Sequence, residues 1–270
     1  MTSSPHERAA AYEDRYCAFI DILGFRNLVR GLHSSQDAVA LRNVMRKIHA
    51  PTSAPTVNWI VDFRAQSISD AIAISTTTLD SGLYRILEAI EDLAVDLLRE
   101  GYFTRGALVR GQLYHDASMV FGEALVRAYE LESTIARFPR VVIGKEVMGD
   151  ISRKGTGLFS EEKRKFDPFI EQADDGPYYV HVLRKITAEI QSVQLENLNK
   201  RPEEQMRLTE YAQIQDVIQK RLDESSYDPR HFEKVQWFAK YWRSFVPYGI
   251  ADFKTLTGPG MDKAEWTTQG

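Results

Sequence analysis

The stretch Ala18-Phe19-Ile20-Asp21-Ile22-Leu23-Gly24-Phe25 is an apolar, strand-like run that carries one carboxylate in its middle and then turns at a glycine. An ionised aspartate on such a strand is costly to bury unless it is paired, hydrogen-bonded or bound to a cation. A second case lies downstream in Ile68-Ser69-Asp70-Ala71-Ile72-Ala73-Ile74, where Asp70 interrupts small and apolar residues. Two aspartates in these surroundings indicate a site for a hard metal ion.

The composition narrows the class of protein. With 270 residues, 43% of them hydrophobic, the chain can form one large globular domain or one domain with an appendage. A formal net charge of −4 argues against a nucleic-acid partner. The single cysteine, Cys17, excludes a Cys-rich zinc site and fits a reducing compartment. No secretory signal and no run near the roughly 20 apolar residues of a membrane span are visible, so we expect a cytoplasmic protein.

The order of elements through residue 143 predicts the fold. Segments rich in β-branched and aromatic residues predict strands at the opening stretch and at residues 57–64, 67–76, 102–114, 117–121 and 140–143. Apolar residues spaced by three and four predict helices at residues 25–49, in two pieces, and at 79–100 and 123–137. The resulting order, βαββαββαβ, predicts an α/β sandwich with helices over a mostly antiparallel sheet, and Asp70 near the turn of a hairpin.

The C-terminal part of the chain is predicted to be helical. A surface loop around short elements is expected over residues 155–176 and one more strand over 178–183, followed by helices at 185–199, 202–225 and 229–245. We therefore expect an N-terminal tail over residues 1–15, the sheet domain over 16–183, a helical extension over 184–255 and a flexible tail over 256–270.

The two aspartates can meet only through the fold, because 49 residues separate them. If the first strand lies beside the hairpin, both carboxylates reach one end of the sheet and can bind Mg²⁺ or Mn²⁺, which favour oxygen ligands. The turn Leu23-Gly24-Phe25 could then present backbone N–H groups to a triphosphate. The alternative reading makes Asp21 and Asp70 structural caps or turn residues, and the spacing alone leaves it open.

The combined pattern resembles the catalytic domain of class III nucleotidyl cyclases over residues 16–143. The resemblance rests on the opening stretch, on Ser69-Asp70 and on Phe121-Gly122 leading into residues 128–133. It implies that Asp21 and Asp70 bind two metal ions, that the Ile22 carbonyl adds a ligand, and that residues 22–25 hold phosphates. The implied reaction is attack of the ribose 3′-hydroxyl on the α-phosphorus with release of pyrophosphate, in a homodimer with sites at its interface.

The chain departs from the purine cyclases in its transition-state residues. Those enzymes carry an Asn and, four residues on, an Arg on the helix after the aromatic-Gly step, where this chain has Val126 and Glu130. Another cation must then neutralise the developing charge, or the domain is inactive. Arg105, Arg110 and Arg127 are the candidates. Because Arg105 and Arg110 face opposite sides of one strand, at most one can serve, and Arg110 is favoured. Arg127 could instead pair with Glu130 on a solvated helix face.

The positions for base selection also differ. The purine enzymes use a Lys in the hairpin and an Asp before the aromatic-Gly step, where this chain has Gln66 and Met119. The chain also resembles the Pycsar pyrimidine cyclases of bacterial anti-phage defence. That resemblance implies UTP, or alternatively CTP, as substrate, with Phe19 and Gln66 at the nucleotide and a separate effector activated by the cyclic product. A nucleotide-binding module without turnover and a two-metal phosphohydrolase or diguanylate-cyclase-like synthase are the other hypotheses.

Overall fold

The computed structural model describes residues 11–30, 32–36, 38–39, 42, 62–68, 71–154, 165–195 and 202–246. The chain clusters into two compact units. The first comprises Met1–Ala94 and Thr104–Val182, and the second comprises Val95–Phe103 and Leu183–Gly270. No helix in the described ranges is both long and apolar enough to cross a membrane.

The first unit is built on one twisted sheet. Its strands are β1 (Glu13–Ile22), β2 (Arg64–Ile68), β3 (Ala71–Thr77), β4 (Thr104–His115), β5 (Val120–Phe121), β6 (Val141–Ile143), β7 (Ile170–Gln172) and β8 (Tyr178–Val180). Among the described residues the order is β2-β3-β1-β4-β6-β8-β7, with β5 paired to β4. Only the β4–β6 pair is parallel. The strand that carries Asp21 is therefore flanked by β3 and β4.

Helices and apolar side chains cover both faces of this sheet. The helices are α1 (Phe25–Arg30), α2 (Asp80–Arg99), α3 (Glu123–Thr134) and α4 (Lys145–Lys154), with a short 3-10 helix at Asp167–Phe169. On one face, Ala124 and Ala128 of α3 pack against Cys17, Val109 and Leu113. Side chains alternate along a strand, so the isoleucines of β1 and β3 that face the other way form a second apolar layer. They are fully buried as well, which is why β1 reads as a nearly continuous apolar run.

The described residues of the second unit are helical, apart from the connections between helices and the loop between α2 and β4. It contains the end of α2 together with α5 (Arg184–Leu195), α6 (Pro202–Ser225) and α7 (Pro229–Phe245). Trp242 is fully buried and donates its indole N–H to Gln215 Oε1 at 2.8 Å. Asp228 caps α7 by accepting from the backbone N–H groups of the first helical turn. Helix α7 therefore packs as core and does not present its aromatic residues as a stacking surface.

The predicted α/β sandwich and the element order through residue 143 are confirmed, but the hairpin is displaced. We expected one strand over residues 67–76, whereas Ser67 and Ile68 end β2 and Ala71 begins β3. The reason is that Ile68 pairs with Ala71, so the chain reverses between them. The residues of that reversal, Ser69 and Asp70, lie outside the described residues, as does most of the predicted helical stretch 25–49 after α1.

Three further differences concern element boundaries. Strand β1 begins at Glu13, inside the expected tail 1–15, because Glu13 pairs with Leu113 and Arg15 is buried in the sheet. Helix α4 was not predicted. Residues 95–103 cluster with the helical unit although we expected them within the sheet domain. Whether the two units are separate domains stays a prediction.

Candidate active site at the end of the central strand

Asp21 lies near the C-terminal end of β1, and its backbone is in register with a residue on each of the two neighbouring strands. Its partner on β3 is Ala71, and its partner on β4 is Arg105. Paired residues of antiparallel strands project from the same face, so Asp21 and Arg105 are neighbours above the sheet. The Asp21 side chain is 18% exposed. The hairpin thus adjoins β1 as the metal-site hypothesis requires. Asp70 precedes Ala71 in sequence, and its approach to Asp21 stays a prediction.

Arg105 joins two acidic side chains through one nitrogen. Its Nε donates to Asp21 Oδ2 at 3.2 Å and lies 2.5 Å from Glu132 Oε1. Glu132 comes from α3, and its side chain is only 4% exposed. The Arg105 Nη1 and Nη2 atoms make no hydrogen bond within the described part of the chain. Because Arg105 is one-quarter exposed, these two nitrogens are available to an anion.

Arg110 lies on the opposite face of β4 and is fully engaged. Its Nε and Nη2 donate to Asp14 at 2.8 and 2.6 Å, and its Nη1 donates to both oxygens of Asp150 at 2.9 Å. These carboxylates raise the pKa of Arg110 above its usual range. Asp150 also accepts from the Tyr16 hydroxyl at 3.0 Å. None of the contacts of Arg110 is with Asp21, so it belongs to a salt-bridge cluster that ties β1 and β4 to α4.

Arg127 is engaged as well, with partners different from the one expected. Its Nη2 lies 2.5 Å from Glu146 Oε2, and its Nη1 donates to the Arg110 carbonyl at 3.2 Å. A weaker contact of 3.7 Å joins it to Glu123. The pairing considered from the sequence was with Glu130, which is exposed one helical turn away. Of the three arginines considered, the structure brings Arg105 into contact with Asp21, and not Arg110 or Arg127.

The turn after β1 has the backbone that the glycine predicted. Gly24 has φ of 80°, a left-handed conformation that favours glycine, and α1 begins at the next residue, Phe25. Ile22 is buried at the end of β1, while Leu23 is partly exposed. Phe19 shares the Asp21 face and meets the Tyr129 ring edge-on at 5.7 Å. Of the residues implied to hold the nucleotide, Phe19 therefore lies on the Asp21 face of β1 and residues 23–25 lie at the turn that follows, whereas the Ile22 side chain faces the other way.

The two positions implied to select the base are neighbours. Gln66 on β2 is in register with Ala73, which is in register with Phe19, so Gln66 lies on the same face as Phe19. Its Nε2 donates to the Ser118 carbonyl at 2.9 Å, immediately before Met119. Met119 is half exposed. In the described residues, Gln66 Oε1 is shielded from solvent and has no hydrogen-bond partner.

A hydrogen-bonded aspartate shapes the turn that presents Met119. Asp116 Oδ1 accepts from the Ser118 hydroxyl and from the backbone N–H groups of Ser118 and Met119, and its other oxygen accepts from Tyr114. These bonds hold the pKa of Asp116 well below its usual range. The Asp116 side chain is therefore a turn residue with all its bonds directed into the loop.

A buried polar cluster on the same face was not predicted from the sequence. Arg15 is 2% exposed, donates to Asp62 at 2.9 Å, and donates through Nε to Ser75 Oγ at 3.1 Å. Ser75 Oγ lies 2.8 Å from His115 Nδ1. Burial, with Arg15 and Arg64 nearby, lowers the pKa of His115 to about 4 and keeps the ring neutral. A charged residue leading directly into an apolar strand was the available signal, and we had placed Arg15 in the tail.

An exposed apolar patch lies beside the site on α3 and β5. Tyr12, Met119, Phe121, Val126 and Tyr129 are each half exposed or more. Stacking of Phe121 on Tyr12 and on the ring of a β4 tyrosine holds part of this patch together. An exposed cluster of this kind is typical of an interaction surface.

The oxygen donors at the end of β1 fit a hard divalent ion that takes its remaining ligands from a phosphate. Asp21 supplies a carboxylate and Ile22 a carbonyl at this strand end, and Mg²⁺ usually takes only one or two protein carboxylates together with substrate phosphates. In the part of the chain that the structure describes, no group of three or more His, Cys, Asp or Glu side chains could hold a metal alone. Asp70 and the substrate would have to complete the set.

Comparisons with known proteins give fold likenesses only. No protein family and no curated protein matches the chain. Two solved structures of bacterial light-regulated adenylyl cyclase match with TM-scores of 0.43 and 0.42 at 17% and 18% identity. The matches cover 54% and 66% of this chain and 47% and 55% of those chains.

A class III adenylyl cyclase-like ATP-binding protein from Pseudomonas aeruginosa matches with a TM-score of 0.38 at 12% identity, over 57% of this chain and 40% of that one. The chain thus spans about half the length of the solved structures it matches. Because these TM-scores are below 0.5, the function proposed next rests on the residues of this chain.

Proposed function

We propose that this chain is a nucleotidyl cyclase that converts a pyrimidine nucleoside triphosphate to the 3′,5′-cyclic monophosphate and pyrophosphate, with UTP preferred to CTP as the substrate. The observation that carries the proposal is that the two terminal nitrogens of Arg105, beside Asp21 at the end of the central strand, make no hydrogen bond to any described residue. Such an arrangement can bind a cation and an adjacent polyphosphate together.

Asp21, Asp70 and the Ile22 carbonyl would hold two Mn²⁺ or Mg²⁺ ions. When bound, such ions lower the pKa of an attacking hydroxyl and neutralise a leaving polyphosphate. Arg105 contributes a fixed positive charge to the triphosphate and takes the role that the positions of Val126 and Glu130 cannot fill. The ribose 3′-oxygen forms the new bond to the α-phosphorus, the bond to pyrophosphate breaks, and the hydroxyl proton leaves to solvent. No protein nucleophile is needed.

Base selection is assigned to Gln66 and the turn that ends at Met119. The Ser118 carbonyl accepts from one of the two Nε2 hydrogens of Gln66, and the buried Oε1, which has no hydrogen-bond partner in the described residues, is the acceptor we assign to N3–H of uracil or to the amino group of cytosine. Neither Gln66 nor Met119 carries the charge that the purine enzymes have at these places. The resemblance to the Pycsar cyclases supports the further proposal that the product is a second messenger in anti-phage immunity, acting on a separate effector.

The active form is proposed to be a homodimer with its sites at the interface. The exposed patch on α3 and β5 supports this assembly, since it offers large aromatic residues next to the site. Val126→Glu, in the centre of the patch, should shift the sedimentation coefficient from dimer to monomer and lower turnover together. A fully active monomeric wild type would contradict the assembly.

A nucleotide-binding module without turnover is the second candidate. Val126 and Glu130 favour it, because both are exposed on α3 where a purine cyclase presents an Asn and an Arg. Such a module would bind the nucleotide as the enzyme would, but it would form no product.

The two candidates are separated by incubating the purified chain with ATP, GTP, CTP or UTP and Mn²⁺ and resolving the products by mass. We expect a cyclic pyrimidine nucleotide from the wild type and none from folded Asp21→Ala or Asp70→Ala. Near-normal cyclisation by either variant would show that the metal assignment is wrong. Tight nucleotide binding by the wild type with no product from any of the four would favour the binding module.

A further inference from the structure

Glu132 is a buried carboxylate beside Arg105, and the proposed reaction assigns no role to it. It lies on α3 with its side chain 4% exposed, and its Oε1 is 2.5 Å from Arg105 Nε. The same Nε donates to Asp21 Oδ2 at 3.2 Å. The one N–H of Nε donates to Asp21 and the contact with Glu132 is an ion pair, so this nitrogen of Arg105 lies between carboxylates from two different elements, β1 and α3.

Sharing of Nε has a geometric consequence for the rest of the guanidinium. The group is planar and its N–H donors form a rigid fork, so a fixed Nε restricts the plane and direction of Nη1 and Nη2. Those two atoms have no hydrogen-bond partner in the described residues. In Arg110 the carboxylates engage all three nitrogens. The guanidinium of Arg105 is therefore held at Nε, while Nη1 and Nη2 make no hydrogen bond to the described residues.

We propose that Glu132 is a positioning residue that holds Arg105 by Nε and so keeps both terminal nitrogens available to the substrate triphosphate. The inference rests on the proposed cyclase function. Without the charge of Glu132, Asp21 is the carboxylate left beside Arg105, and the guanidinium can turn its terminal nitrogens onto it. Arg105 would then occupy the carboxylate that is needed for cations, and the triphosphate would lose its partner.

A pure charge effect of Glu132 would have the opposite sign. Removing a negative charge near an anion site makes the local potential more positive and strengthens anion binding. Positioning predicts weaker binding. Glu132→Gln separates the two, because glutamine keeps the shape and one oxygen acceptor but loses the charge. Glu123→Gln is the matched control, since Glu123 is exposed at the start of the same helix.

The test measures binding of inorganic tripolyphosphate in Mn²⁺ by calorimetry, together with kcat and KM for the best nucleoside triphosphate. We expect Glu132→Gln to bind tripolyphosphate about tenfold more weakly and to lose about tenfold in kcat/KM, with no change in Glu123→Gln. In an Arg105→Gln background, Glu132→Gln should add no further loss. If Glu132→Gln does not fold, Glu132→Asp, which keeps the charge but shortens the side chain, should show a smaller loss in the same direction.

Unchanged or tighter tripolyphosphate binding by folded Glu132→Gln would overturn the inference, as would an independent, additive loss in the Arg105→Gln background. Failure of the proposed function has a different signature. In that case the wild type forms no cyclic nucleotide, while the tripolyphosphate comparison still decides whether Glu132 positions Arg105. A wild type that neither cyclises nor binds tripolyphosphate would overturn both.

Discussion

Arg105 and Arg110 lie five residues apart on one strand, and they should respond differently to the same substitution. In Arg105→Gln, the two terminal nitrogens, which have no hydrogen-bond partner among the residues that the structure describes, are lost to the triphosphate. At about 1.5–2 kcal/mol for each charge-assisted hydrogen bond, the loss is about 3–4 kcal/mol in the transition state. Turnover should therefore fall by about 10²–10³-fold. Arg110→Gln removes bonds only to Asp14 and Asp150, so its turnover should change by less than about fivefold.

The assay is the initial rate of cyclic nucleotide formation in Mn²⁺, with urea unfolding of both variants as the control. Arg105→Gln leaves the buried Glu132 with a neutral partner, so we expect a stability loss of about 1–3 kcal/mol that leaves the protein folded. Equal losses of turnover in folded Arg105→Gln and Arg110→Gln would refute the reasoning, as would an Arg105→Gln enzyme that keeps a third of wild-type activity.

Three other predictions concern stability and base choice. The pKa of His115 is about 4 in the folded protein and 6.5 in the unfolded chain, so the unfolded chain binds more protons between these pH values. The free energy of unfolding measured in urea should therefore fall by about 2 kcal/mol from pH 7 to pH 5, and this fall should be smaller in His115→Asn. Gly106→Ala should cost about 2–4 kcal/mol, because its Cβ would meet a β1 carbonyl at 2.4 Å, whereas Gly149→Ala in α4, with open space, should be neutral or stabilising. Gln66→Lys with Met119→Asp should shift the purine-to-pyrimidine ratio of products about tenfold; an unchanged ratio would remove these residues from base selection.

The sequence was sufficient for the architecture because its strongest signals were local. Alternating and three-and-four spacings predicted the βαββαββαβ order, and the α2, α6 and α7 boundaries agree within a residue. The hairpin was displaced because Ser67 and Ile68 are as acceptable in one strand as in the next, and only pairing with the neighbouring strand decides the register. Helix α4 was missed because it has only ten residues and follows the buried strand β6 after a single residue, Gly144.

The site was predictable at Asp21 and much less so at its partners. A lone carboxylate on an apolar strand is visible in the sequence, whereas the cation beside it is fixed by register between β1 and β4. Strand alternation showed that Arg105 and Arg110 face opposite sides, but it could not say which side carries Asp21. Glu132 and the Arg15 cluster were missed for the same reason, since their partners lie 27 and 60 residues away in sequence.

The central claim is that Asp21 and Arg105 serve a cyclisation of a pyrimidine nucleoside triphosphate, and the products of UTP test it most directly. UTP labelled at the α- and γ-phosphates is incubated with the wild type in Mn²⁺, and every phosphorus-containing product is quantified by mass. We expect the wild type to form 3′,5′-cyclic UMP and pyrophosphate in equal amounts, and Asp21→Ala to form neither product. Release of UDP and inorganic phosphate would indicate a phosphohydrolase and contradict the account, as would cyclic product that persists in Asp21→Ala.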